Sequence, residues 1–167
     1  GRNALSTEDA HGRNVAIGYY ALGVQDAGAD AYNVAIGFHA GEQVSTGTFN
    51  TIVGGVAGDG LTTGTGNTIM GHDAGDGITT EDDNTLIGQG AGNAVTSAEN
   101  TFVGRRAGAS ATTGDANVCI GSGSDVSAAA VANEVNIFNG SVTARFQGAA
   151  GAWTFVSDAR DKKEIKD

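Results

Sequence analysis

The sequence predicts an all-β protein, a parallel β-roll or β-solenoid of about seven 17-residue coils, oligomeric and followed by a small β collar. Three observations predict it. First, an Asn followed by two or three apolar residues and a Gly recurs at Asn14, Asn33, Asn50, Asn67, Asn84, Asn100 and Asn117, at spacings of 19, 17, 17, 17, 16 and 17. Second, that period is too short for a helical hairpin repeat but fits one coil of a solenoid whose neighbours stack at the interstrand distance. Third, 28 glycines and 27 alanines make up about a third of 167 residues, with no proline. So many small side chains give a thin core, which favours a layered, repetitive and oligomeric architecture.

Each element of the coil has its own reason. The segments NVAIG, NVAIG, NTIVG, NTIMG, NTLIG, NTFVG and NVCIG read as short strands. Stacked Asn side chains can hydrogen-bond from coil to coil, each amide donating to the carbonyl above or below, which satisfies buried polar groups along a ladder. The Gly four places on stands where φ is positive or a neighbouring backbone comes close. Five copies continue as xxAG, ending at Gly41, Gly58, Gly75, Gly92 and Gly108. A second apolar column, Val44, Leu61, Ile78, Val95 and Ala111, precedes paired hydroxyl residues such as Thr62-Thr63. Two short strands and two turns per coil are expected.

Side chains in the strand alternate faces. The second-position column (Ala16, Ala35, Ile52, Ile69, Leu86, Phe102, Cys119) and the third (Ile17, Ile36, Val53, Met70, Ile87, Val103, Ile120) are both apolar. A strand apolar on both faces must be buried on both. One column would fill the roll and the other an interface with a partner chain, for which the second-position column is the expected lining.

Residues 1–125 form the roll. Residues 126–156 read as a β collar, with SVTARFQ-GAAG-AWTFV as a hairpin and Trp153 in its core. Composition breaks near residue 157. Residues 1–156 carry 5 Arg against 15 acidic side chains, whereas 157–167 holds 4 of each and all three lysines. The formal charge of −10 argues against nucleic-acid or anionic-lipid binding, since phosphate contacts need clustered Lys and Arg. No apolar run is long enough to insert into a membrane. Collagen is excluded, because it needs Pro and a glycine at every third place. Cys119 is the single cysteine, so neither an intrachain disulfide nor a cysteine-based metal site is possible.

The motif NVAIG at Asn14 to Gly18 and Asn33 to Gly37 resembles the repeat of trimeric autotransporter adhesin heads, over roughly residues 3 to 125. That family has three left-handed parallel β-rolls side by side around an axis, which implies a homotrimer here with the second-position column at its axis; the coil here is longer and carries the extra xxAG. The last eleven residues resemble the opening, S-D-x-R-x-K-x-x-I, of the intramolecular chaperone domain of endosialidase-type phage tailspikes and tail fibres, matched at Ser157, Asp158, Arg160, Lys162 and Ile165. The resemblance implies that the chaperone assembles the trimer and cuts itself off, with Ser157 as nucleophile and Lys162 as base. Eleven residues hold only the start of that domain, so cleavage is expected only with the complete chaperone.

Together these readings point to a structural and host-attachment segment of a phage tail fibre or tailspike, in the virion tail. It would be non-enzymatic, in contact with other tail proteins and a host glycan or other receptor. The alternative is a bacterial surface adhesin head; a glycan depolymerase and an ice-binding solenoid fit less well. A depolymerase needs two carboxylates facing a groove, and an ice-binding face needs flat ranks of Thr wider than the single outward column here.

Receptor contact is expected at the turn residues that do not repeat, led by Tyr19, Tyr20, Phe38 and His39, since core, Asn and Gly columns are committed to packing and backbone. No cofactor or metal is expected. His39 and His72 alone make no metal site, and the stacked Glu42, Asp59, Asp76 and Asn93 are a weak calcium candidate whose repulsion solvent also relieves.

Overall fold

The computed structural model describes residues 1–8, 12–138, 140–141, 143–147 and 154–156. They contain no helix and build one ten-stranded sheet in strict sequence order. Strands β1 (Val15–Ile17), β2 (Val34–Ile36), β3 (Thr51–Val53), β4 (Thr68–Met70), β5 (Thr85–Ile87), β6 (Thr101–Val103), β7 (Val118–Ile120) and β8 (Glu134–Phe138) run parallel. Eight parallel strands bound seven turns of a single solenoid. Strands β9 (Thr143–Gln147) and β10 (Thr154–Val156) then add in antiparallel sense.

The register keeps every repeat column intact: Ile52 lies beside Ile69, Ile69 beside Leu86 and Leu86 beside Phe102. The expected second strand per coil is absent among the described residues. The segments after Val44, Leu61, Ile78, Val95 and Ala111 bend instead, and link mainly through single bonds such as Thr62 N–H to Thr79 O, 2.7 Å. Their Thr hydroxyls add bonds to the same carbonyl, as from Thr62 to Thr79 O at 2.9 Å.

The core is a stack of one Ile, Leu, Phe or Cys per coil from the strand, one Ala from xxAG and one aliphatic residue from the bend. Ile69, Ala74 and Ile78 in one coil and Leu86, Ala91 and Val95 in the next are all fully buried. Burying each such Ile or Leu contributes about 1.5–3 kcal/mol. The alanines are required by space, since the turn they occupy folds directly over the strand residue.

The expected axis column is therefore corrected. Ala35, Ile52, Ile69, Leu86, Phe102 and Cys119 are 0% exposed, and Ala16 packs against them inside the chain's own roll. They line no intermolecular axis. The third-position column faces outward instead, with Ile17 at 57%, Ile36 at 37%, Met70 at 39% and Ile120 at 41% exposure.

The Asn ladder exists, and it is wired mainly through the backbone, with one amide-to-amide bond from Asn67 Nδ2 to Asn50 Oδ1 at 3.1 Å. The Oδ1 atom of each Asn accepts the backbone N–H of the Asn one coil on: Asn50 to Asn33 at 2.8 Å, Asn67 to Asn50 at 2.9 Å, Asn84 to Asn67 at 2.9 Å. From Asn33 onward each Nδ2 donates to a bend carbonyl, as from Asn50 to Gly64 at 2.8 Å and from Asn117 to Val131 at 2.7 Å. All five Asn from Asn33 to Asn100, and Asn117, are fully buried. The ladder ends at Glu134, whose N–H bonds Asn117 Oδ1 at 2.9 Å. Glu134 itself is fully buried against Ser127 and, at 3.3 Å, Arg145. The parallel stack thus runs one coil past residue 125.

The Gly column has both properties that the sequence required. Gly54, Gly71 and Gly88 hold φ of 142°, 136° and 132°. A Cβ on Gly71 would lie 2.5 Å from Gly88 O, so no side chain fits between coils. The sequence also conceals half a coil: Gly1-Arg2-Asn3-Ala4-Leu5 repeats the Gly18-Tyr19-Tyr20-Ala21-Leu22 turn. Leu5 N–H bonds Ala21 O at 3.2 Å, as Leu22 N–H bonds Ala40 O at 3.1 Å.

Candidate functional site

Two left-handed corners frame the outer strand face. The residue six past each Asn has φ near 55°, as at Tyr20, His39, Val56, Asp73 and Arg106, and so does the residue before each Asn, as at Tyr32, Phe49, Asp83 and Glu99. These reversals turn the chain sharply and throw side chains outward from both edges of the face.

At the first corner the four expected aromatic residues do come together. Tyr19 and Phe38 stack across adjacent coils at 5.6 Å between centroids and 11° between planes. Tyr20 meets Tyr19 edge-on at 4.6 Å, and His39 lies 4.0 Å from Phe38. Tyr19 (38%) and Phe38 (58%) offer exposed rings, whereas Tyr20 is half-buried. His39 is engaged, its Nδ1 paired with the Glu42 carboxylate. An accessible aromatic surface of this kind can stack on the C–H face of a sugar or on another ring.

The second corner holds an aromatic stack that the sequence reading missed. Tyr32 and Phe49 lie 5.7 Å apart and 8° from parallel, at 45% and 59% exposure. Arg13 closes one end of the stack, 5.7 Å from the Tyr32 centroid, bonded to its hydroxyl at 2.8 Å and paired with Asp30 at 3.2 Å. The signal was available: the residue before the Asn is aromatic in two successive copies.

Between the corners lies the outer strand face. First and third strand positions share it, so Thr51, Thr68, Thr85 and Thr101 stand beside the aliphatic column of Ile36, Val53, Met70, Ile87 and Val103. Its central residues are only half-exposed within a single chain. Among the described residues nothing from the same chain crosses over it.

The column Glu42, Asp59, Asp76 stacks as expected. Burial lifts the Asp59 carboxyl above its usual range, helped by the hydrogen bond that its protonated form donates to Asp76 and by the charge of Asp76, with Glu42 adding repulsion. Among the described residues no three His, Cys, Asp or Glu side chains gather in a metal-binding group. Burial, reinforced by Asp125, pushes the Cys119 thiol up to about 12. Ser157, Lys162 and Trp153 lie outside the described residues, as does the tip of the expected hairpin; its two strands, β9 and β10, do pair.

No helix among the described residues is long and apolar enough to cross a membrane. No family model matches the chain, no curated protein is similar to it, and no solved structure matches its fold.

Proposed function

We propose that the chain is a structural and attachment segment of a trimeric fibre, a phage tail fibre or tailspike, in which three solenoids pack through their outer strand faces and present aromatic corners to a host glycan. The observation that carries this reading is the outer face itself. A rod that needed only water around its sheet would place charge there, yet every third-position residue from Ile17 to Ile137 is aliphatic. At about 4.8 Å per coil, eight strands make an apolar stripe on the order of 35 Å long, which favours burial against an identical stripe. The phage assignment is supported by the S-D-x-R-x-K resemblance at Ser157 to Lys162 alone, and the proposed work is adhesive, with no catalysis beyond self-cleavage of a complete chaperone. Placement in the virion tail, and contact with other tail proteins, follow from the same assignment.

Mass measurement by light scattering at micromolar concentration tests it. The wild type is expected at three chain masses. Met70→Asp should give a folded monomer, because the charge enters the outer face; Ile69→Asp should unfold the coil, because it buries an unpaired carboxylate inside. A wild-type monomer would overturn the reading.

A further inference from the structure

The two edges of the outer face carry side chains that complement each other level by level, and this fixes how one chain would meet the next. We propose that the solenoids associate in register, the residue before each Asn of one chain facing the residue five past the same Asn of its neighbour. The inference rests on the trimeric reading above and adds to it a defined contact between edges.

Symmetry supplies the first step. In a cyclic assembly of parallel rods every contact is heterologous, and rotation about the axis carries no translation, so opposite edges meet at equal height. The rise of one coil, about 4.8 Å, is spread over its residues at roughly 0.3 Å each. Six residues across the face accumulate less than half a coil, so same-level neighbours face each other and not those one coil away.

The sequence of pairs follows. Arg13 faces Tyr19, Tyr32 faces Phe38, Phe49 faces Gly55, Gly66 faces His72, Asp83 faces Gln89, and Glu99 faces Arg105. None places like charges or two bulky chains beyond a stackable pair. Gly55 is the telling position. It leaves a gap on its edge, and that gap lies opposite a planar side chain, Phe49, on the other edge.

The hole at Gly55 lies between Phe38 and His72 on its own edge, and a Cβ there would meet nothing nearer than His72 Cδ2 at 3.7 Å. The neighbour's Phe49 ring, 59% exposed in a single chain, fills it. Gly66 leaves no comparable gap, because the Asp83 carboxylate of its own chain already occupies the place a Cβ would take, and the His72 opposite is paired with Asp73 of its own chain at 2.8 Å. At the far end, Glu99 and Arg105 are both exposed and form no ion pair within the chain among the described residues. Facing edges pair them.

Two variants test the register. Glu99→Cys with Arg105→Cys, oxidised by copper phenanthroline, should yield a covalent trimer on denaturing gels, whereas either single variant should stay uncrosslinked; the buried Cys119 supplies no competing thiol. Gly55→Trp has room within its own chain and a φ that any residue adopts, so it should keep the wild-type circular dichroism while losing the trimer. A trimer by light scattering that neither crosslinks nor responds to Gly55→Trp would overturn the in-register contact and leave the trimeric reading standing. A monomeric wild type would overturn both.

Discussion

Two columns of polar side chains climb this solenoid at different corners, and they are built on opposite terms. The Asn column is fully buried, yet each amide oxygen takes an N–H from the next coil and each amide nitrogen reaches a bend carbonyl. Neutral amides both donate and accept, so stacking them at one interstrand spacing creates partners. The column of Glu42, Asp59 and Asp76 is half-solvated, and stacking carboxylates creates repulsion that only a proton or water relieves. The same repeat therefore strengthens one corner with each added coil and loads the other.

The largest effect expected from breaking this contrast is at the centre of the buried ladder. Asn67→Ala removes the acceptor for Asn84 N–H (2.9 Å) and the donor to Glu81 O (2.8 Å). Leaving two buried backbone groups unpaired costs about 1–3 kcal/mol each. Urea denaturation should show a loss on the order of 3 kcal/mol, and a loss below 1 would mean that water replaces the amide.

A smaller gain is expected beside the acidic column, at Val56. This β-branched residue holds φ 56°, a conformation that costs an L-residue about 1–2 kcal/mol. Val56→Gly should raise stability by about 1 kcal/mol, offset in part by the glycine's greater freedom when unfolded. Thermal melts of the pair would read it, and a destabilised Val56→Gly would show that the side chain's packing outweighs the strain.

The smallest effect belongs to the carboxylates. The folded state raises the Asp59 pKa, so its contribution to stability is present when the group is protonated, below the ordinary carboxylate range, and is lost as pH rises through the raised value. Asp59→Asn should therefore stabilise the protein at neutral pH by a few tenths of a kcal/mol, screened by solvent. The gain should shrink as pH falls toward the carboxylate range. An Asp59→Asn gain that stayed constant with pH would assign it to something other than the charge.

Much of this was legible in the sequence because a repeat reports its own geometry. The Asn, Gly and xxAG columns gave the coil length, the parallel stacking and the close glycine approach before any coordinate. Which face of the strand points inward was misread, because both columns are apolar and alternation alone is symmetric. The deciding signal was the first strand position. It shares a face with the third, and it is Thr in four of the seven copies, which marks that face as the outer one. The half coil at Gly1 to Leu5 and the last coil at Glu134 were hidden by substitutions that preserve backbone roles: Leu22 (φ 49°) and Leu5 (φ 51°) stand where later copies have Gly, and Glu134 N–H makes the Asn bond without an Asn. The Tyr32–Phe49 stack was less legible because the residue before the Asn is aromatic in only two copies, so it forms no repeat column.

The backbone bonds of each coil reach only the coil above and the coil below, and this makes the rod a ruler. Its length is counted in residues: each 17-residue unit adds about 4.8 Å, because among the described residues each strand pairs only with the strands of adjacent coils. Insertions or losses of whole units would change reach while leaving every column aligned, whereas a change of a few residues must be absorbed within a bend. The 16-residue interval between Asn84 and Asn100 is such a case. Its bend is one residue shorter, and Ser97 O accepts the Asn84 amide at 3.0 Å in the place that Gly64 O and Glu81 O fill for earlier coils. The strands keep register across it, with Leu86 still beside Phe102. A solenoid made this way can be lengthened or shortened in fixed increments without a new fold.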